Sequence, residues 1–272
     1  MNYPQLKDHW TPYILTMGDN YKRLNLDLDL GKAPVQLRVE DEENAEFCSI
    51  LNRGNQLAFG GPKDMGMPLW VMLDCAILPS AMAGFMLPRE YVPTELLQDL
   101  GVDDDYDGYV PISEYCACPT LEPGTFSGFS LHSHITGHGL ATRTKAFALA
   151  VLGAKRQIGV TQFDNPAIRV HVRFGAMEIK IHRPIIHTHS EDSFVYQLDV
   201  PEIGELMKIA RGEVEFGPVE IPKGQRWSFL HDDELAHGRL REHLANGGRA
   251  WLIPPGWRAT ERGFKIYMVL GE

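Results

Sequence analysis

The stretch from Ser127 to Gly175 constrains the fold more than any other part of this chain. Ser127–Ile135 reads as a strand, Gly137-His138-Gly139 as a tight turn, and Leu140–Leu152 as a helix. That helix has Leu140, Phe147 and Val151 near one face, with alanines for close packing. Gly153 stops it. Gln157–Phe163 is a strand, Asn165-Pro166 supplies an N-cap and a first-turn proline, and Ala167–Phe174 is a second helix ended by Gly175. Strand, glycine turn, helix, strand and capped helix in succession make an α/β arrangement. A Gly-x-Gly that opens a helix turns backbone N–H groups and the positive helix end outward, where they can hold a phosphate. Such a turn also serves as a plain connection. A dinucleotide fingerprint would need a third glycine, and Thr142 stands there instead.

On either side of this core the pattern is more ordinary. Leu24–Leu30 alternates apolar and polar residues as a strand does, and Val35–Val39 is a second strand. Glu40 to Glu43 opens an amphipathic helix through Phe47, Ile50 and Leu51, acidic where the helix dipole favours it. Leu69–Leu78 and Ala81–Leu87 read as two strands of a hairpin joined by Pro79-Ser80. Pro93–Leu100 is a short helix, Asp103–Asp105 a solvated acidic loop, and Tyr109–Cys118 a strand. Met177–Ile186 and Ser193–Val200 are two more strands. Beyond about residue 202 the pattern changes to short helical pieces, Ile203–Ala210 and Asp232–Leu244, and a final strand over Phe264–Leu270. The chain is accordingly divided into an N-terminal segment (1–34), a main α/β domain (35–202) and a C-terminal extension (203–272). Trp227, Trp251 and Trp257 suit that extension to a cap, a lid or a homodimer surface.

Composition removes several classes of function. Among 272 residues, 26 Lys+Arg against 36 Asp+Glu leave a formal charge of −10, which argues against a primarily nucleic-acid-binding protein. No apolar run approaches the roughly 20 residues that span a bilayer, so no membrane role is expected. The start, MNYPQLKDHW, lacks the features of a signal peptide, and a cytoplasmic location is expected. Cys48, Cys75, Cys116 and Cys118 are too few for a disulfide scaffold and read as structural thiols.

The segment His134-Ile135-Thr136-Gly137-His138-Gly139, the alanine-rich helix that starts at Leu140, and Asn165-Pro-Ala167-Ile-Arg-Val-His171-Val-Arg-Phe-Gly175 resemble the GNAT superfamily of acyl-CoA-dependent N-acyltransferases. That family's loop reads Gln/Arg-x-x-Gly-x-Gly/Ala, and its later helix reads Asn-x-Ala-x-x-x-Tyr-x-x-x-Gly. The likeness spans roughly residues 35–200. It implies a mixed, mostly antiparallel sheet flanked by helices. It implies acetyl-CoA or a longer acyl-CoA as co-substrate, held by His134–Leu140, Arg143 and Asn165. It also implies direct transfer of the acyl group to an amine of a small molecule or a protein. Two positions depart from the family pattern. His134 replaces the loop's Gln or Arg, and His171 replaces the tyrosine that commonly protonates the departing thiolate. An imidazolium can also donate a proton, so His171 is either a general acid or a packing histidine. Pro111–Pro119 and Gly84–Pro88 more faintly resemble strands of acyl-homoserine-lactone and other N-acyl amino acid synthases, but the arginine of each segment is missing. Glu114 is the carboxylate placed to accept the amine proton, or a half-exposed strand residue. Arg143 either reaches a CoA phosphate or lies on a solvated helix face.

Eleven histidines raise a metal reading. His187 and His189 would share one strand face, as in cupin-like sites, with Glu191 nearby, and His132 and His134 would share another. No spacing such as His-Glu-x-x-His occurs, so no metal is expected. Two other readings stand beside the transferase: a non-catalytic acyl-CoA-binding or protein-interaction module on the same fold, and a cupin-like metal protein built on His187 and His189.

Overall fold

The computed structural model describes residues 8–61, 66–77, 81–183 and 193–272. The chain forms two compact units: residues 1–154 with 206–213, and residues 155–205 with 214–272. His187, His189, Glu191 and the Pro79-Ser80 junction lie outside the described residues.

Unit 1 contains, in chain order, β1 (Thr11–Thr16), β2 (Val35–Arg38), α1 (Ala45–Phe59), α2 (Leu69–Ile77), β3 (Ala81–Pro88), α3 (Thr94–Asp99), β4 (Tyr109–Pro119), β5 (Thr125–Ser133) and α4 (Leu140–Leu152). Its strands lie in the order β2-β1-β3-β4-β5. β1 runs parallel to β2, and the β1–β3, β3–β4 and β4–β5 pairs are antiparallel. β4 is buried over nearly its whole length because helices cover both of its faces. Alternation along the strand then divides its chemistry. Ser113 faces α4, where its hydroxyl lies 2.7 Å from that of Thr144. Cys116 faces the other way, into a core with Phe47, Cys48 and Leu51 of α1 and Met72, Cys75 and Ala76 of α2.

Unit 2 contains β6 (Arg156–Gln162), α5 (Ile168–His171), β7 (Met177–His182), β8 (Ser193–Asp199), α6 (Ile203–Arg211, of which 206–211 packs in unit 1), β9 (Gln225–Leu230), α7 (Glu234–Ala245), β10 (Arg249–Thr260) and β11 (Gly263–Gly271). Its strand order is β6-β8-β7-β10-β11-β9, and the β6–β8, β7–β8, β7–β10, β10–β11 and β9–β11 pairs are antiparallel. Asp233 caps α7, its carboxylate accepting from the Ala236 N–H at 3.0 Å. Mostly antiparallel strands with flanking helices are therefore what the chain builds, as expected from its sequence.

Three local expectations are corrected. Leu69–Ile77 is a helix, not a strand. A short apolar run does not choose between the two, and the buried set Met72, Cys75 and Ala76, spaced i, i+3, i+4, fits only the helix. Leu24–Leu30 alternates but forms no strand; Leu28 is buried, and the Asn25 N–H donates to the Val151 carbonyl of α4's last turn at 2.8 Å. The C-terminal extension carries three strands where one was expected. β10 absorbs Pro254-Pro255-Gly256 as an irregularity between Leu252 and Trp257, and its pairing with β11 resumes beyond.

Candidate functional site

The strongest concentration of chemistry lies on the α1/α2 side of β4. Glu114, fully buried, is paired across the ladder with His132 of β5. Two residues further on β4, Cys116 is opposite Phe129, so β5 carries one extra residue between these pairs. Ser130 absorbs that bulge in the left-handed region, at φ 57°, and its hydroxyl lies 3.4 Å from Glu114 Oε2. Asn55 of α1 donates to the same Ser130 oxygen, while its own Oδ1 accepts from the Met67 N–H at 2.7 Å. The His132 ring meets Phe59 edge-on and lies 4.9 Å from the His134 ring. At Gly54 a Cβ would sit 2.7 Å from His134 Nε2, so the absence of a side chain on α1 is what admits that imidazole.

Burial sets the electrostatics here. It pushes the Glu114 carboxyl up to about 8, against smaller opposing effects of the Asn55 and Ser130 hydrogen bonds. It pushes His132 down to about 3 and His134 down to about 4. Near neutral pH both imidazoles are therefore uncharged and Glu114 is mostly protonated. The 3.6 Å approach of His132 Nδ1 to Glu114 Oε2 is accordingly a contact between neutral groups rather than an ion pair. Glu114 Oε1, His132 Nδ1 and His134 Nε2 are all buried with no hydrogen-bond partner among the described residues. Buried polar atoms are nearly always satisfied, so three such atoms in one cluster mark a place suited to a polar group from outside the chain. A carboxyl whose protonation changes near pH 8, beside neutral imidazoles, is suited to proton transfer.

The glycine turn follows directly. Gly137 (φ 83°) and Gly139 (φ 70°) are both left-handed, and nothing lies within 4 Å of where a Cβ would stand on either. Gly139 is the residue before α4, and no side chain caps that helix end. Ile135 and Leu140 are buried, whereas Thr136 and Gly137 are exposed; His138 is partly buried. Arg143 is engaged elsewhere. Its Nε donates to the Ala210 carbonyl of α6 at 2.7 Å, and its guanidinium lies 4.8 Å from the Trp10 ring and 5.4 Å from that of Phe85. In unit 2, Asn165 Oδ1 accepts from the Ala167 N–H at 2.8 Å, the turn that starts α5. His171, on α5, is buried with its ring 5.2 Å from that of Tyr196.

Reading the sequence missed three residues and one cluster. Asn55 acts through the packing of its helix and Ser130 through a bulge, neither of which sequence periodicity reveals. Lys145 of α4 is fully buried, and burial holds its amine well below the ordinary lysine value. Cys75, Cys116 and Cys118 converge, with their sulfurs within 4.8 Å of one another. Here the signal was available. Cys116 and Cys118 stand two apart on a strand, and residues two apart share a face.

Among the described residues no helix is long and apolar enough to cross a membrane. No protein-family model matches the chain, and no curated protein matches it.

Proposed function

We propose that the chain is an acyl-CoA-dependent N-acyltransferase of the GNAT type. The observation that carries this reading is the turn ahead of α4: two left-handed glycines, clear of side chains, at the amino end of a 13-residue helix. Such an end offers N–H groups and a positive dipole to a pyrophosphate. The acceptor is an amine. Its nitrogen attacks the thioester carbonyl, the carbon–sulfur bond breaks, and the CoA thiolate leaves. Glu114 accepts the proton lost by the amine, and the departing thiolate takes its proton from water. Arg143 is left out of cofactor binding because the Ala210 carbonyl and the Trp10 and Phe85 rings already hold it.

The test has two stages. Thermal unfolding with and without CoA should show stabilisation by the ligand, and Gly137→Ala should lose it. That substitution meets no steric neighbour and costs only the left-handed strain of about 1–2 kcal/mol. Thiol release from acetyl-CoA and longer acyl-CoA, with pooled amines, should then exceed the protein-only background. The rate should rise about tenfold per pH unit below about 8, where Glu114 loses its proton, and fall sharply in Glu114→Gln. Stabilisation by CoA without thiol release would favour the binding module, and no stabilisation at all would remove the transferase reading.

A further inference from the structure

We propose that Cys75, Cys116 and Cys118 form a zinc site with three thiolate ligands and a fourth coordination position left open.

The ligand set follows from the fold. Cys116 and Cys118 stand two apart on β4 and share its α2-facing side, and Cys75 approaches them from α2. The three sulfurs lie within 4.8 Å of one another. Zinc–sulfur bonds of about 2.3 Å at tetrahedral angles separate ligand sulfurs by about 3.8 Å, so closing on the ion takes a contraction of roughly 1 Å. All four cysteines of the chain are thiols, and Cys48, in the same core cluster, stands outside the triad.

The surroundings select the ion. Phe47, Leu51, Met72, Met82 and Met86 wall the cluster, and no His, Asp or Glu joins the ligand group among the described residues. A soft, apolar setting disfavours magnesium and calcium, which need oxygen ligands. Three thiolates, two of them buried, carry three negative charges, and a divalent ion offsets more of that charge than copper(I) does. On binding, each ligand that is still a thiol exchanges its S–H bond for an S–Zn bond and releases its proton to solvent. Cys118 is only half-buried, which gives the ion a way in and leaves the fourth position to water or a small ligand.

The test uses the full chain, purified in reductant without chelator, and reads metal content rather than transferase turnover. Its result therefore does not depend on the acyltransferase proposal. The expected result is one zinc per chain, lost in Cys75→Ser and Cys118→Ser and kept in Cys48→Ser. Retention of zinc in Cys118→Ser, or its loss in Cys48→Ser, overturns the assignment. Because Cys75→Ser risks misfolding, the wild-type chain is also loaded with cobalt(II). An intense thiolate-to-cobalt charge-transfer band is expected, and a spectrum without one overturns the site.

Discussion

The carboxyl of Glu114 and the imidazoles of His132 and His134 respond to pH in opposite senses. Glu114 rises from 4.5 to about 8 on folding, so the folded chain keeps a proton that the unfolded chain releases. Its contribution to stability is complete below pH 4.5 and is lost as pH rises through about 8. His132 and His134 fall from 6.5 to about 3 and about 4, so theirs is complete above pH 6.5 and is lost as pH falls through those values. Together the three groups place their combined optimum near pH 6.5, with up to about 1.4 kcal/mol per group for each pH unit beyond it. Urea unfolding from about pH 5 to about pH 9 should show both limbs, and Glu114→Gln should flatten the alkaline one. An alkaline limb unchanged in that variant would mean that the Glu114 carboxyl is ionised in the fold.

Among the elements, α4 and β3 make the sharpest demands. Arg143 ties α4 to α6 through one charge-assisted hydrogen bond and two aromatic faces. Arg143→Ala should lower stability by about 1.5–3 kcal/mol while leaving the CoA-dependent shift intact, read in the same thermal assay. Lysine there keeps the charge but loses the planar fork, so Arg143→Lys should recover only part of the loss. At Gly84, where β3 crosses β4, an added Cβ would overlap the Ser113 carbonyl. Gly84→Ala should therefore fail to fold or unfold at a much lower urea concentration than wild type, whereas Gly139→Ala, with open space around it, should lose only about 1–2 kcal/mol. The sequence announced α4 clearly because glycines bracket an apolar, alanine-rich run. It misdirected at α2, where Leu69–Ile77 carries too few polar residues for either period to stand out. Glu114 could be named from β4 alone. Its partners Asn55 and Ser130 could not, since one depends on helix packing and the other on a bulge that shifts the register.

Over the whole molecule, the residues themselves announced an alternation of strands and helices, and the mostly antiparallel sheet was what the family resemblance implied. The division after residue 154 was not readable, because the chain crosses it without a change in composition and returns to unit 1 at 206–213. The excess of ten negative charges is a property of the molecule rather than of any element. It predicts that the protein passes an immobilised heparin or DNA column at about 0.1 M salt, and retention there would reveal a basic face that the net charge conceals.

One missing methyl group governs the polar cluster. Since His134 occupies the space that a Cβ on residue 54 would claim, Gly54→Ala acts as a wedge driven from the helix face that meets it. It evicts the imidazole while leaving every titrating group in the chain. A variant of that kind separates what the ring's position contributes from what its chemistry contributes, which no substitution of the histidine itself can do.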